Sequence, residues 1–298
     1  MSTYVLRTTP VVPVLHDIPR VDAVLGELEP IGLDDLNQRA ELMTRVDRKY
    51  ILPAHALPAV LADLPSQTRV LEFDDPVVGR VRSSAYESVY FDTPELHSFH
   101  LAARSRRRRF KIRTRTYRDA DLAYLEVKTR GGRSLTVKDR LEVDPAGGDL
   151  LTADGRAYAE HVLADAGVPA PDTAALAATL TTRYRRTTLL LPAGIAGDES
   201  RATIDQDLEW IDQGARGAFG RRLLLPTSVI VETKSGSSAG DLDRALWRHG
   251  HRPAAISKFG TGLAALRPEL PQNKWVRVLR RHFDAAAERA SAAERVAA

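Results

Sequence analysis

Apolar and charged residues alternate along several short segments of this chain. The first group of such segments comprises residues 88–92, 108–117, 124–129 and 135–143. Successive side chains of a strand point to opposite faces, so this alternation predicts strands that bury one face and leave the other polar. The last three segments are joined by short polar connections, which predicts an antiparallel meander.

A second group of strand-like segments follows, at residues 182–191, 201–205, 209–212, 222–225 and 229–234. An earlier segment, residues 45–52, also alternates and is closed by Pro53. Helical spacing or composition predicts helices at residues 33–43, 54–64, 154–166, 241–249 and after Asn273. Asp241 is the predicted N-cap of the fourth helix. Strands and helices in this order predict one α+β domain.

The ends of the chain differ from this central part. Residues 1–30 contain four prolines and no clear hydrophobic period, so we expect an extended or disordered leader. Residues 31–270 form the predicted domain. Residues 271–298 are rich in Ala, Arg and Glu and predict a C-terminal helix with Trp275, Val278 and Leu279 on one stripe.

Composition excludes several kinds of site. The 298 residues include no cysteine, which excludes disulfides, thiolate zinc sites and cysteine nucleophiles. No run of about 18 uncharged apolar residues is present, as a membrane-spanning helix would need. The first twenty residues also lack the apolar core of a secretory signal, so we expect a cytoplasmic protein.

Basic residues concentrate on one face of the predicted strands. Residues of equal parity share a face, and sorting by parity groups the charged positions as Lys111, Arg113 and Arg115; Glu126 and Lys128; Lys138 and Arg140; and Glu232 and Lys234. Each strand alone is explained by a solvated outer face. If the faces converge instead, their repulsion must be relieved by a polyanion, by the glutamates or by a metal.

A converging face of this kind suits a linear polyphosphate or a nucleoside triphosphate. Arginine offers a planar fork to phosphate oxygens, and lysine offers a compact charge. The isolated glutamates would then hold Mg²⁺ or Mn²⁺, which take oxygen ligands and bridge phosphates.

An ordered set of short motifs runs through most of the chain. They begin at Arg45 (RVDRKY), Tyr90 (YFDTP), Lys111 (KIRTRTY), Leu125 (LEVK), Arg183 (RYRRT), Val231 (VETK) and Ser257 (SKF). From about Leu33 to Leu266 the chain resembles the VTC-type polyphosphate polymerase domain, a member of the triphosphate tunnel metalloenzyme superfamily. This resemblance implies an antiparallel β-barrel that forms a tunnel, with helices outside.

The resemblance also implies roles for individual residues. The expected catalytic residues are Lys49, Arg113, Arg115, Lys128, Arg186, Arg201 and Lys258. The expected substrate-binding residues are Lys111, Lys138, Arg140, Tyr184, Lys234 and Ser257. Glu232 is the expected metal ligand, and Glu126 is a second candidate for Mn²⁺ or Mg²⁺.

The implied activity is transfer of the ATP γ-phosphoryl group to a growing polyphosphate chain. Hydrolysis of tripolyphosphate or of a nucleoside triphosphate needs only water in place of the chain end, and polyphosphate binding without turnover also stays open. Nucleic acid is not expected, because Phe110 lies on the face opposite the arginines and the glutamates would repel a nucleic-acid backbone. Membrane helices follow the tunnel in eukaryotic relatives, so a membrane-protein partner stays open, as does the oligomeric state.

Two other features carry less weight. His97 and His100 are spaced three residues apart, which predicts a short helix after Pro94 rather than a zinc site. Residues 236–240 are rich in Gly and Ser but lack the ending of a P-loop, and predict a flexible turn.

Overall fold

The structure is a computed structural model and describes residues 19–40, 46–75, 78–130, 136–194, 199–214 and 221–283. The strands in these residues are β1 Glu29–Ile31, β2 Val46–Pro53, β3 Arg69–Leu71, β4 Phe73–Asp75, β5 Gly79–Val81, β6 Ser84–Asp92, β7 Arg109–Tyr117, β8 Leu122–Arg130, β9 Thr136–Val143, β10 Ala177–Leu191, β11 Ser200–Asp212, β12 Arg222–Leu225 and β13 Ser228–Ser235.

The helices lie mainly between the strands. They are α1 Pro19–Glu27, α2 Leu33–Ala40, α3 Leu57–Ala62, α4 His97–Ala103, α5 Ala153–Asp165, α6 Asp241–Arg248, α7 Lys258–Leu266 and α8 Val276–Val278, which continues as a π-helical turn at Leu279–Phe283. Short 3₁₀ turns occur at Ala54–Ala56, Pro145–Gly147 and Thr173–Ala175. None of the described helices is long and apolar enough to cross a lipid bilayer.

One large sheet dominates the fold and confirms the predicted α+β class. Its main path runs β2-β13-β11-β10-β6-β7-β8-β9, and every neighbouring pair along it is antiparallel. The short strands β1 and β3 form a parallel pair, and β3 pairs with β10. Strands β7, β8 and β9 form the predicted meander.

The sheet curls so that its two ends face each other. Within the described residues, β2 and β9 are not hydrogen-bonded to one another, so the barrel is curled rather than closed by a complete ladder. Burial lowers the pKa of Lys128 on β8, and the charges of Asp47, Lys49 and Glu232 also act on it. Because these three residues lie on β2 and β13, at the other end of the sheet, the curl produces a concave face.

Helices cover the convex face of the sheet. Near β2 and β13, residues of α1, α3 and α6 pack against buried strand residues, among them Tyr50 and Val231. Near β7 and β8, residues of α5 pack against Phe110 and Leu125. The alternate apolar residues of these strands therefore face outward and pack against the helices. The charged residues between them face the concave side.

Helix α7 fills one end of the concavity. Its buried Phe259 and Leu263 share a core with Ile51 and Ile230, which belong to the concave side of the sheet. A Cβ at Gly262 would overlap the indole of Trp210. Glycine thus allows α7 to lie directly on the sheet, and this close approach brings the start of α7 into the concavity.

Several predicted elements differ from the structure. Residues 201–205 and 209–212, predicted as two strands, belong to one strand. The register with β10 shifts near the polar residues Gln206 and Asp207, where Asp207 has a φ of 51°, and the ladder continues beyond them. Asp241 is not the N-cap of α6; the cap is Gly240, whose N–H donates to Asp243 Oδ2 at 2.9 Å. The His97–Ala103 helix confirms the short helix expected after Pro94.

The expectation of an extended leader is wrong for part of residues 1–30. Residues 19–27 are helical and begin at Pro19, a residue well suited to a first helical turn. Val21 and Leu25, one helical turn apart, are 2% and 3% exposed. Residues 1–18 lie outside the described residues. At the other end, Trp275, Val278 and Leu279 share a buried cluster. Of the predicted C-terminal helix, residues 271–275 are not helical, Val276–Val278 and the π-helical turn Leu279–Phe283 are, and residues 284–298 lie outside the described residues.

Candidate anion-binding site

The strand register aligns the charged positions into one concave face. Lys111 is paired with Lys128, and Lys128 with Lys138, across β7, β8 and β9. On the other side of the sheet, Glu232 is paired with Lys49. Paired residues of neighbouring strands project to the same side. The charged faces that parity separates strand by strand are therefore one continuous surface, hereafter the concave face.

Glu126 on β8 is the centre of one charge cluster. Its side chain is 3% exposed. Arg113 donates to its carboxylate from Nε at 2.8 Å and from Nη2 at 2.6 Å, with Lys138 at 3.4 Å and Arg115 at 3.8 Å. Burial alone would raise the pKa of Glu126, but Arg113 and Lys138 outweigh it and lower the pKa. The carboxylate stays charged and holds three cations in place.

Aromatic rings support the arginines of this cluster. Arg113 Nη1 donates to the Tyr90 hydroxyl at 3.0 Å, and its guanidinium lies 5.6 Å from the ring centre. The Arg140 guanidinium lies 4.8 Å from the centre of the Tyr124 ring. Burial opposes the charge on Arg113, but Tyr90 and Glu126 outweigh it, and the pKa of Arg113 is raised. These cations are thus fixed in position before any ligand binds.

Asp205 on β11 is the centre of a second cluster and is fully buried. Arg186 donates to its two oxygens at 2.6 and 2.8 Å, and the Lys258 ammonium also contacts Oδ2. Burial would raise the pKa of Asp205, but Arg186 and Lys258 outweigh it and lower the pKa. The ring of Tyr184 lies beside both cations, 5.2 Å from the Arg186 guanidinium and 4.3 Å from Lys258 Nζ.

The start of α7 contributes a further contact. Ser257 caps the helix by accepting from Gly260 N at 3.1 Å, and Lys111 Nζ donates to the same hydroxyl at 2.8 Å. Burial, together with the charges of Lys128, Arg113 and Lys49, lowers the pKa of Lys111 to about 7. An anion placed beside Lys111 would restore its charge, since an opposite charge favours the protonated amine.

A third group lies on β2, β11 and β13. Lys49 Nζ lies 2.8 Å from Glu232 Oε1. Burial opposes the charge on Glu232, but Lys49 and Lys234 outweigh it and hold the pKa of the carboxyl well below its usual range. Arg201 is paired with Lys234 in the register, and so continues the concave face along these strands.

Several buried polar atoms of the concave face have no hydrogen-bond partner among the described residues. They are Ser88 Oγ, Arg115 Nε, Thr182 Oγ1, Tyr184 OH and Thr203 Oγ1. Thr182, Ser88 and Arg115 form one row across three neighbouring strands. A buried polar group without a partner costs free energy, so the row is suited to a ligand rich in oxygen atoms.

The described residues contain no group of three or more His, Asp or Glu residues arranged to hold a metal ion. The oxygens of Glu126 are already engaged by Arg113, Arg115 and Lys138. Glu232 has a side chain that is 17% exposed, and Lys49 contacts one of its oxygens, Oε1, at 2.8 Å. Mg²⁺ is commonly held by one or two carboxylates and by substrate phosphates. Glu232 therefore fits an ion shared with a phosphate ligand, and a cage made of protein alone is not present in the described part.

The alternation along the strands and the family resemblance together predict the cations of this face. The structure places all fifteen candidate residues on the concave face or at the adjoining start of α7. Asp205, Tyr86 and Tyr90 were missed. Asp205 shares parity with Arg201, which could have assigned it to the same face. The two tyrosines pair with Tyr184 and Arg113 across strands, a relation that only the register reveals.

Comparison with known proteins gives one family. A model of the VTC domain matches residues 44–267. No curated protein sequence matches the chain. Among solved structures, a putative adenylyl cyclase from Hippeastrum with a dominant triphosphatase activity covers 78% of this chain and 100% of its own, at 16% identity and a TM-score of 0.41.

Two structures from Pyrococcus species cover a smaller share of this chain than the Hippeastrum protein does. A protein from Pyrococcus horikoshii covers 70% of this chain and 92% of its own, at 12% identity and a TM-score of 0.34. A conserved hypothetical protein from Pyrococcus furiosus covers 70% and 91%, at 13% identity and a TM-score of 0.34. At these scores the overlaps carry no conclusion about activity.

Proposed function

Because the chain belongs to the VTC domain family, we propose that its concave face handles condensed phosphate and that the protein is a metal-dependent polyphosphate polymerase. The supporting observation is the face itself, on which cations outnumber carboxylates among the described residues. The carboxylates Glu126 and Asp205 are buried and hold cations in place, so the remaining binding capacity is for an external anion.

The proposed reaction is transfer of the ATP γ-phosphoryl group to the end of a polyphosphate chain. An oxygen of the terminal phosphate forms a bond to the γ-phosphorus, the bond from that phosphorus to the β–γ bridging oxygen breaks, and ADP leaves with the bridging oxygen. Such a transfer requires mainly positioning and neutralisation of the phosphoryl oxygens. A shell of arginines and lysines that is rigid before binding supplies both.

Individual residues take separate roles in this proposal. Arg113, Arg115 and Lys128 bind phosphoryl oxygens on one wall, with Lys138, Arg140 and Lys111 beside them. Arg186 of β10 and Lys258 of α7 bind them on the other side of β6, with Tyr184 and Ser257 beside them and Lys49, Arg201 and Lys234 further along. Glu126 is assigned to holding Arg113, because its oxygens already accept from that guanidinium.

Glu232 would hold Mn²⁺ or Mg²⁺ together with phosphate oxygens of the substrate. When bound, the ion would neutralise charge on the β- and γ-phosphates. Lys49, which already contacts Glu232, would keep that carboxylate ionised and oriented toward the concave face.

Purified protein incubated with ATP and Mn²⁺ tests the proposal. We expect an acid-labile polymer on a gel, and we expect Arg113→Ala and Glu232→Gln to abolish it while their circular dichroism spectra stay those of the wild type. Release of phosphate from triphosphate or ATP without polymer would identify a hydrolase. Binding of polyphosphate without turnover would identify a binding protein.

A further inference from the structure

The cationic pairs of β7 and β8 continue beyond the clusters described above. Arg113 pairs with Glu126, Lys111 pairs with Lys128, and Arg109 pairs with Arg130. Each step covers two residues, or about 7 Å along the strands. Along this path the only carboxylate is at the inner pair, so the outer two pairs consist of cations alone.

Lys274 joins the outermost pair, and the three residues Arg109, Arg130 and Lys274 are called the outer cation cluster. Lys274 Nζ donates to Ala102 O at 3.2 Å. Burial, together with the charges of Arg109 and Arg130, lowers its pKa. The charge of Lys274 also helps to lower the pKa of Lys111, so the outer cation cluster interacts electrostatically with the cations of the concave face.

Hydrogen bonds to backbone carbonyls hold two side chains of the outer cation cluster, Arg109 and Lys274, in position. Arg109 Nη1 donates to Arg106 O at 2.7 Å, which fixes its guanidinium beside the sheet. Arg130 Nε is buried and has no hydrogen-bond partner among the described residues. Among the described residues, the charges that act most on Arg109 and Lys274 are those of other cations. Cations held together in this way repel one another, and a bound anion would relieve the repulsion.

The surroundings favour an anion without bases. Non-specific single-strand binders present aromatic rings on which bases stack. Phe110 and Trp275, which adjoin Arg109 and Lys274 in the sequence, are at most 2% exposed. A chain of phosphates needs no stacking surface, and it would follow the row of cations that leads from Arg113 outward.

We propose that the outer cation cluster is a second phosphate-binding site, which holds the distal phosphates of a linear polyphosphate whose end occupies the concave face. This inference rests on the proposed function. Inorganic triphosphate, held by the inner cations, does not reach the outer cation cluster. The site would therefore retain long chains and leave short ones free to dissociate.

The test compares inorganic triphosphate with long-chain polyphosphate by titration calorimetry at several salt concentrations. The double variant Arg109→Gln/Lys274→Gln removes two outer cations and leaves Arg130, whose buried Nε makes it a poorer choice. The matched control is Arg80→Gln/Arg248→Gln, which removes two exposed cations, 75% and 57% accessible, on β5 and α6. Thermal melting verifies folding, and each single variant replaces the double one if that protein melts early.

We expect the double variant to bind long-chain polyphosphate about tenfold more weakly, as two exposed ion pairs would contribute. The slope of log affinity against log salt should fall by about one for each cation removed. Triphosphate affinity should change far less than the affinity for long chains, since Lys274 acts on the inner site only through its charge at Lys111. The control should match the wild type with both ligands.

Wild-type affinity of the double variant for long chains would overturn the outer site while leaving the concave face intact. Equal weakening of triphosphate would also overturn it, because the cations would then belong to the inner site. If the variant instead loses affinity for a single-stranded oligonucleotide and keeps its affinity for polyphosphate, the cluster is a nucleic-acid surface. Failure of the wild type to bind either phosphate would refute the proposed function itself.

Discussion

Replacement of Asp205 by Asn removes the charge that holds Arg186 and Lys258 together. Asp205 is fully buried, and the two cations have side chains only 12% exposed. Asparagine keeps the size of the side chain and one acceptor oxygen, so the change affects charge far more than packing. Two cations would then lie side by side in the protein without their carboxylate.

The magnitude follows from the geometry. Breaking a buried ion pair from one side typically costs about 3–5 kcal/mol, because the partner is left buried and unpaired. Both partners here reach the concave face and can recover some hydration, which places the expected loss near the lower end, at about 3 kcal/mol. That is a large share of a typical free energy of unfolding of about 5–15 kcal/mol.

Urea denaturation at neutral pH, followed by tryptophan fluorescence, measures this loss. The pKa of Asp205 is lowered in the folded protein, so its contribution is fully present above the unfolded pKa and is lost as the pH falls through the folded one. The control is Asp63→Asn, since Asp63 contacts Arg248 at 3.1 Å on the surface and should change stability little. A loss below about 1 kcal/mol for Asp205→Asn would show that this carboxylate is not needed to hold Arg186 and Lys258.

Other predictions concern single residues. Because the pKa of Lys111 is lowered to about 7, a bound polyanion should raise it, so polyphosphate binding near pH 8 should take up protons. Calorimetry in buffers of different ionisation enthalpy measures this uptake, which Lys111→Met should remove; proton release would contradict the assignment. Gly262→Ala should destabilise the fold by about 1–3 kcal/mol through overlap with Trp210, whereas Gly236→Ala, with open space around it, should have a small effect in the same thermal melts. Glu232→Gln should abolish Mn²⁺-dependent turnover yet keep affinity for metal-free triphosphate; loss of both would assign Glu232 to the fold rather than to the ion.

The strand pattern predicts much of the sheet because parity is a local property. On β7 the alternation correctly separates Phe110 and Ile112, which are buried against helices, from Lys111 and Arg113, which line the concave face. The same rule fails on β11. There the polar residues at 206–207 suggest a break, but the ladder bulges and the strand continues.

Which side chains form ion pairs depends on residues far apart in the sequence, and this limits what could be predicted of the candidate site. Asp205 meets Arg186 and Lys258, a residue 53 positions away along the chain. The lowered pKa of Lys111 depends on burial and on cations from three other strands or turns. The α1 helix was missed for a different reason: the prolines around it obscure the spacing of Val21 and Leu25.

The fate of the γ-phosphoryl group of ATP distinguishes a polymerase from a hydrolase. Protein incubated with ATP labelled at the γ-position and with Mn²⁺ is separated into polymer, inorganic phosphate and unreacted ATP. We expect most of the transferred label to enter polymer, and we expect Arg113→Ala to remove this transfer. Label that appears only as inorganic phosphate, from the wild-type protein and in the presence of a polyphosphate primer, would contradict this expectation.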